Sequence, residues 1–298
     1  MEHNPGPMHP ECPGRLHAVL DGLKESEFNY LKRIEAPKID LKTVEMVHQT
    51  DYIEKVMDAT PAEGRFHLDP DTILSPGSME ASLRASGAAV DAVDKVMAGK
   101  ASNAFCAVRP PGHHAESSQA MGFCLFNSVA IAAVHARITH MVERVAVVDF
   151  DVHHGNGTQH SFEQDAGLFY ASSHQWPAYP GTGLASETGI NGNVVNAPLA
   201  PGAGSLEFRK AYEDIILPAL RSFNPEILII SAGFDAHERD PLAQLNLQSE
   251  DYAWVTEQLL DVASNSCGGR VIGLLEGGYD LEALRECVQA HLRVMIAA

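Results

Sequence analysis

The chain has 298 residues, 45% of them apolar, which is enough for a large domain with a buried core and excludes disordered or collagen-like classes. Acidic residues number 39 against 21 basic, a net charge of −18. A surface of that sign repels phosphate and argues against a nucleic-acid partner, while tolerating a cationic substrate.

In chain order, Met1-Glu2-His3-Asn4-Pro5 has neither the basic nor the apolar region of a signal peptide. Alanine and aliphatic residues at helical spacing predict a helix over Ser78–Met97, stopped by Gly99. A short apolar run, Ala104–Val108, predicts a strand. A helix over Asn127–Met141 follows, then strands over Val145–Phe150 and Leu168–Ser172. Helices Ser205–Phe223 and Ser249–Ser264 each open on a serine expected to be the N-cap. Between and after them lie strands Ile227–Ser231 and Val271–Leu275, and Leu281–Ile296 is the last helix. Runs apolar on both faces read as buried parallel strands, and their alternation with helices predicts an α/β fold. No repeat, low-complexity tract or linker divides the chain, so one domain over 1–298 is expected. No apolar run approaches the roughly 18 residues that cross a bilayer. Five cysteines (Cys12, Cys106, Cys124, Cys267, Cys287) form no CxxC pair and support no disulfide framework. A soluble, cytoplasmic protein without a membrane partner is the expectation.

Ligands in such folds bind beyond the carboxyl ends of the strands. There the chain places Arg109-Pro110-Pro111-Gly112-His113-His114, Asp151-Val152-His153-His154-Gly155-Asn156-Gly157, Ala232-Gly233-Phe234-Asp235 and Glu276-Gly277-Gly278-Tyr279. The 15 histidines are therefore partly clustered at these ends. In an extended segment Asp151 and His153 point the same way. With Asp235 they make three N/O donors and leave a position open, the pattern of a catalytic zinc site. Each alone is equally a cap or a core hydrogen-bonding group. His113 and His114 suit proton transfer if each has an orienting partner, for which Asp149 and Asn156 are nearest. A carboxylate would raise its histidine's proton affinity more than an amide would, which would divide the acid and base roles. Tyr279, after the pliant Gly277-Gly278 pair, can donate to a developing oxyanion or simply pack on the sheet's rim. Phe123, in Gly122-Phe123-Cys124, and Tyr179, in Ala178-Tyr179-Pro180-Gly181-Thr182-Gly183, are either walls of a slot or core.

With these motifs, together with His9-Pro10-Glu11 and Asp240-Pro241-Leu242, the chain resembles the histone deacetylase superfamily. The likeness is to its bacterial, class II-like members, and it runs from His9 to the last helix. It implies the single-domain arginase/deacetylase fold, a mainly parallel eight-stranded sheet flanked by helices on both faces. It implies Zn²⁺ held by Asp151, His153 and Asp235, and a structural K⁺ near Asp149, Asp151, His153 and Ser172. By the same likeness His113 (backed by Asp149), His114 (backed by Asn156) and Tyr279 are catalytic. Phe123, Tyr179, Leu242 and the Gly277-Gly278 backbone line the substrate, and the Gly122 carbonyl accepts its amide N–H. Members usually begin with a strand before the His-Pro-Glu loop. This chain starts almost at that loop, so that strand is expected to be missing or truncated.

The activity so implied is removal of acetyl or other acyl groups from the ε-amine of a lysine peptide or protein. The sister reading is acetylpolyamine amidohydrolase. Specialised polyamine members carry a glutamate just after the Asp-Pro where this chain has Leu242, which favours lysine. An arginase-like binuclear manganese site, and a non-catalytic acyl- or metal-binding module, are the remaining alternatives. Acyl length and oligomeric state are not read from the sequence.

Overall fold

The computed structural model describes residues 2–298. The chain opens with α1 (Pro13–Gly22), α2 (Leu41–Val44) and α3 (Thr50–Ala59), then a small antiparallel pair, β1 (Phe66–His67) and β2 (Ile73–Leu74). The long helix α4 (Ser78–Met97) leads into β3 (Asn103–Cys106), and α5 (Ser128–His140) into β4 (Val145–Asp149). After α6 (Asn156–Phe162) come β5 (Leu168–Gln175) and β6 (Val194–Leu199). Helices α7 (Ser205–Ala211) and α8 (Leu217–Phe223) are joined by a π-helical turn, Tyr212–Ile216. The remaining elements are β7 (Ile227–Ala232), α9 (Ser249–Cys267), β8 (Val271–Leu275) and α10 (Leu281–Ala297).

Six strands form the central sheet in the order β3-β8-β7-β4-β5-β6, every pairing parallel. The expected eight-stranded sheet is corrected to six. The two further strands, β1 and β2, pair only with each other, because their hairpin lies apart from the sheet. Among the described residues no strand precedes α1. Two cap assignments also move by one residue. Gly204 and Gln248 are the caps, and their backbone N–H groups are taken by Glu207 and Asp251. Ser205 and Ser249 are the first helical residues.

Alternate residues of β4 and β7 face opposite layers, as the strand period requires. Ala146, Val148, Leu228 and Ile230 pack with α1, α7 to α10. Val145, Val147, Ile227 and Ile229 pack with α4 and α5. Among the described residues no helix is long and apolar enough to cross a membrane. From β4 the chain runs outward through β5 and β6, and from β7 it runs the other way to β8. The loops after β4 and β7 therefore diverge, opening a crevice at the carboxyl end of the sheet. Asp151 lies beyond the end of β4, and Asp235 beyond the end of β7.

Close approach at Gly87 locks α4 against the segment before α2. A Cβ there would lie 2.0 Å from the Pro37 carbonyl oxygen and 3.0 Å from the Ile39 nitrogen. Gly87→Ala is expected to cost about 1–3 kcal/mol of stability, as overpacking does. Urea unfolding checks this, and an unchanged midpoint would show that the segment yields freely.

Candidate active site

The crevice gathers three acids and an imidazole. Asp149 ends β4, level with Ser172 of β5 and Ser231 of β7. Its Oδ1 accepts the Asp151 N–H at 3.0 Å. Asp151 Oδ2 accepts the Gly277 N–H at 2.8 Å, and Asp235 Oδ1 accepts the Val152 N–H at 2.9 Å. His153 Nδ1 then lies 3.1 Å from Asp151 Oδ1 and 3.2 Å from Asp235 Oδ2. Asp151, His153 and Asp235 each offer a ligand atom, all within 4.8 Å of one another. Although His153 Nδ1 is 3.2 Å away, the contact lacks hydrogen-bond geometry, so Asp235 Oδ2 is buried without a hydrogen-bond partner, an orphan that a cation would satisfy. Two carboxylate oxygens and one imidazole nitrogen fit a divalent ion with room for a further ligand. Gly277 has to be glycine here, since a Cβ would meet Asp235 Oδ2 at 2.0 Å.

The electrostatics show how crowded this charge is. Burial pushes the Asp235 carboxyl up, and the charge of Asp151 adds to it. Burial also raises Asp149. Asp151 moves the other way: burial would raise it, but His113 and His153 hold it well below the usual carboxylate range. His153 resists burial because Asp151 and Asp235 flank it, which lifts it to about 10.

The histidine pair follows the cis Arg109–Pro110 bond. Gly112 and His113 donate their N–H groups to Glu276 Oε2, at 2.6 and 3.2 Å. His113 Nδ1 lies 2.9 Å from Asp149 Oδ2, which also accepts the Tyr170 hydroxyl at 3.0 Å. His114 Nδ1 lies 2.8 Å from Asn156 Oδ1. The two rings sit 4.0 Å apart between centroids, yet their titration is opposite. Burial opposes charge on His113, but Asp151 and Asp149 raise it to about 10. Burial lowers His114 well below its ordinary value, and the charges of His113 and His153 lower it further. His114 is therefore neutral at pH 7.

Sequence reasoning missed Glu116. Its Oε1 accepts the Asn156 Nδ2–H and also pairs with His160 Nδ1 at 2.8 Å. That turns the Asn156 oxygen toward His114. An oxygen there accepts Nδ1–H, so the proton of neutral His114 is on Nδ1 and the lone pair is on Nε2. The signal was available: Glu116 follows His114 by two residues in one loop.

Tyr279 lies two residues after Gly277, whose N–H reaches Asp151. Its ring is edge-on to Phe123 at 5.7 Å, with the Arg15 guanidinium 4.8 Å over its face. Burial holds its hydroxyl well above 10. Tyr179 stands edge-on to His114 at 5.2 Å and to His153 at 6.3 Å. Gly122 is pressed beneath it with φ +56°, where a Cβ would strike the His114 ring at 2.4 Å. The Gly278 carbonyl accepts from Arg15 Nε at 2.6 Å. Gly277 and Gly278 thus contact the buried acids and Arg15. Leu242 is 38% exposed on the loop whose Asp240 accepts the Tyr279 N–H at 2.7 Å. Ser172 is buried, with Oγ on His174 Nδ1 at 2.9 Å. The loop bearing Tyr179 is moored by His154, to Thr182 Oγ1 at 2.8 Å, and by His174, to the Gly183 carbonyl at 2.9 Å.

Residues 9–295 match the histone deacetylase domain. The chain belongs to the histone deacetylase family. It is 38% identical to histone deacetylase 14, chloroplastic, of Arabidopsis thaliana, over 97% of this chain and 73% of that one. It is 39% identical to the histone deacetylase-like amidohydrolase of Pseudomonas aeruginosa, over 91% and 71%. The crystal structure of the HDA15 HD domain superposes with a TM-score of 0.93 at 35% identity, covering 99% of this chain and 85% of that one. The arginase/deacetylase fold and a deacetylase-type hydrolase follow for this histone deacetylase family member.

Two outcomes test the site. Glu116→Ala frees the Asn156 amide to turn, and kcat is expected to fall about tenfold or more, within the range of weakened acid–base catalysis. Glu116→Gln, which keeps an acceptor, is expected to restore most of it; equal loss in both variants would rule out the orienting role. The second concerns histidines buried in neutral form, which burial lowers: His48 and His174 to about 4, His154 and His291 to about 3. Below about pH 6.5 the unfolded chain binds protons that the fold refuses, so stability is lost as pH falls toward 4, by up to about 1.4 kcal/mol per unit for each such group. His291 sits among Phe105, Phe150 and Phe234. His291→Leu is expected to make the unfolding free energy less steep with pH across that window; an unaltered slope would contradict the assignment.

Proposed function

We propose that the chain is a zinc-dependent deacylase that hydrolyses the acyl amide on a lysine side chain. The observation that carries the reading is the orphan Asp235 Oδ2, converging with Asp151 and His153. When bound at these three residues, zinc supplies Lewis acidity for the amide carbonyl and makes a neighbouring water acidic enough to ionise near pH 7.

The chain's own groups carry the protons. His114 takes the proton of the attacking water on Nε2, the nitrogen that Asn156 leaves free. Because its proton affinity is low, His114 then gives that proton up readily to the amine nitrogen as the C–N bond breaks. His113 keeps its proton against Asp149 throughout, and its charge is part of what keeps His114 a ready donor. Tyr279 remains protonated and donates to the carbonyl oxygen as negative charge gathers there. Tyr179 and Phe123 flank an unbranched alkyl stem and keep water from it. A monovalent ion near Asp149, Asp151, His153 and Ser172 belongs to the same proposal. The negative surface suits the cationic amine released from a lysine side chain or from a polyamine and does not separate the two. Leu242, an apolar side chain that cannot pair with a second ammonium, favours lysine.

Tyr279→Phe and His114→Ala are each expected to lose about 10² or more in kcat on an acetyl-lysine peptide, in zinc-loaded protein. Chelation is expected to abolish turnover and zinc to restore it. Wild-type rates in both variants would overturn the mechanism. A kcat/KM at least about tenfold higher for acetylated polyamine than for peptide, about 1.4 kcal/mol, would overturn the substrate ranking.

A further inference from the structure

A second convergence of metal donors lies at the opposite end of the sheet. Asp94, in the last turn of α4, reaches across to α5. Its Oδ1 lies 2.7 Å from His135 Nε2 and 2.7 Å from His140 Nε2. The two rings are 5.8 Å apart, edge to face. The three ligand atoms fall within 4.8 Å of one another. His140 is the last residue of α5, with four residues between it and β4, whose far end carries Asp149. The five-residue strand, at about 3.3 Å per residue, separates this cluster from the candidate active site.

We propose that Asp94, His135 and His140 form a Zn²⁺ site that clamps α4 to α5. Four features support it. Two imidazoles and one carboxylate are the borderline donors that zinc takes, with water free to complete a tetrahedron. Tetrahedral zinc sets its ligand atoms about 3.3 Å apart, so the 2.7 Å spacings would have to open by roughly 0.6 Å, a shift that side-chain rotation supplies. The Thr139 hydroxyl lies 3.2 Å from His135 Nδ1. It accepts that ring's remaining N–H, the outer contact that aims Nε2 at a metal. Finally, α4 and α5 both end here, and the partial negative charge at two helix C-termini favours a cation. The helices already pack through Ala89, Val93, Val129 and Ala133, so the ion ties their ends without having to build the interface. The carboxylate is about half exposed and both rings are partly exposed, which leaves the site open to exchange with free metal.

The test counts zinc per chain. Purified protein is incubated with excess Zn²⁺, desalted and analysed for metal, as wild type and as His135→Ala/His140→Ala. The double variant is expected to hold one ion fewer than the wild type, with its deacylase turnover retained. Added to protein that carries one zinc per chain, Zn²⁺ is expected to raise the melting temperature of the wild type and to leave that of the double variant unmoved. Equal zinc content in the two proteins would overturn the proposal, as would an equal thermal response. Loss of the zinc at Asp151, His153 and Asp235 would lower both counts together, so failure of the proposed function and failure of this site read differently.

Discussion

Four carboxylates, Asp149, Asp151, Asp235 and Glu276, lie almost fully dehydrated at the carboxyl ends of adjacent strands. Charge in such a place is tolerable only if hydrogen bonds and counter-charges replace the lost water. Much of the architecture around the crevice is that replacement. The backbone of the 112–113 turn donates to Glu276, the Gly277 amide to Asp151, the Val152 amide to Asp235, and the Asp151 amide to Asp149. Loop paths that look arbitrary are the ones that deliver an N–H to an acid. What the backbone leaves unanswered is met by the imidazoles of His113 and His153, and the orphan oxygen of Asp235 is the group that a cation would satisfy.

The same economy explains the amino-terminal segment. Glu11 is fully buried and grips Arg109 through both carboxylate oxygens, each at 2.6 Å, and Arg15 at 3.2 Å. Burial would raise its carboxyl, but His3, Arg109 and Arg15 overcome that and hold it far below the ordinary range. Arg15 passes the connection on to the carbonyls of Glu276 and Gly278. One acid therefore fixes the turn before His113 relative to the turn that presents Tyr279.

Much of this was legible in the residues. Five of the six central strands announce themselves as short apolar runs, and their ends carry the acids and histidines that the fold brings together. The sixth, β6, is broken in pattern by Asn196 and Pro198 and reads as loop. It pairs on one side only, and an edge tolerates proline because one face of its backbone needs no partner. Single-residue capping was misread because the acids at Glu207 and Asp251, not the serine hydroxyls, take the first amides. The mooring roles of His154 and His174 were not legible, because only the fold brings Thr182 and the Gly183 carbonyl to them, whereas Glu116 stands two residues from His114. Whether a lone histidine is core or ligand depends on what folds against it.

The contrast between floor and walls has a consequence for how such a protein diversifies. The acids, His113 and His114 sit on or beside central strands, wedged by glycines that admit no larger residue. Tyr179 and Leu242, by contrast, are 41% and 38% exposed on loops. Substitution at Tyr179 or Leu242 can therefore reshape the entrance while the hydrogen bonds that hold the buried acids stay in place.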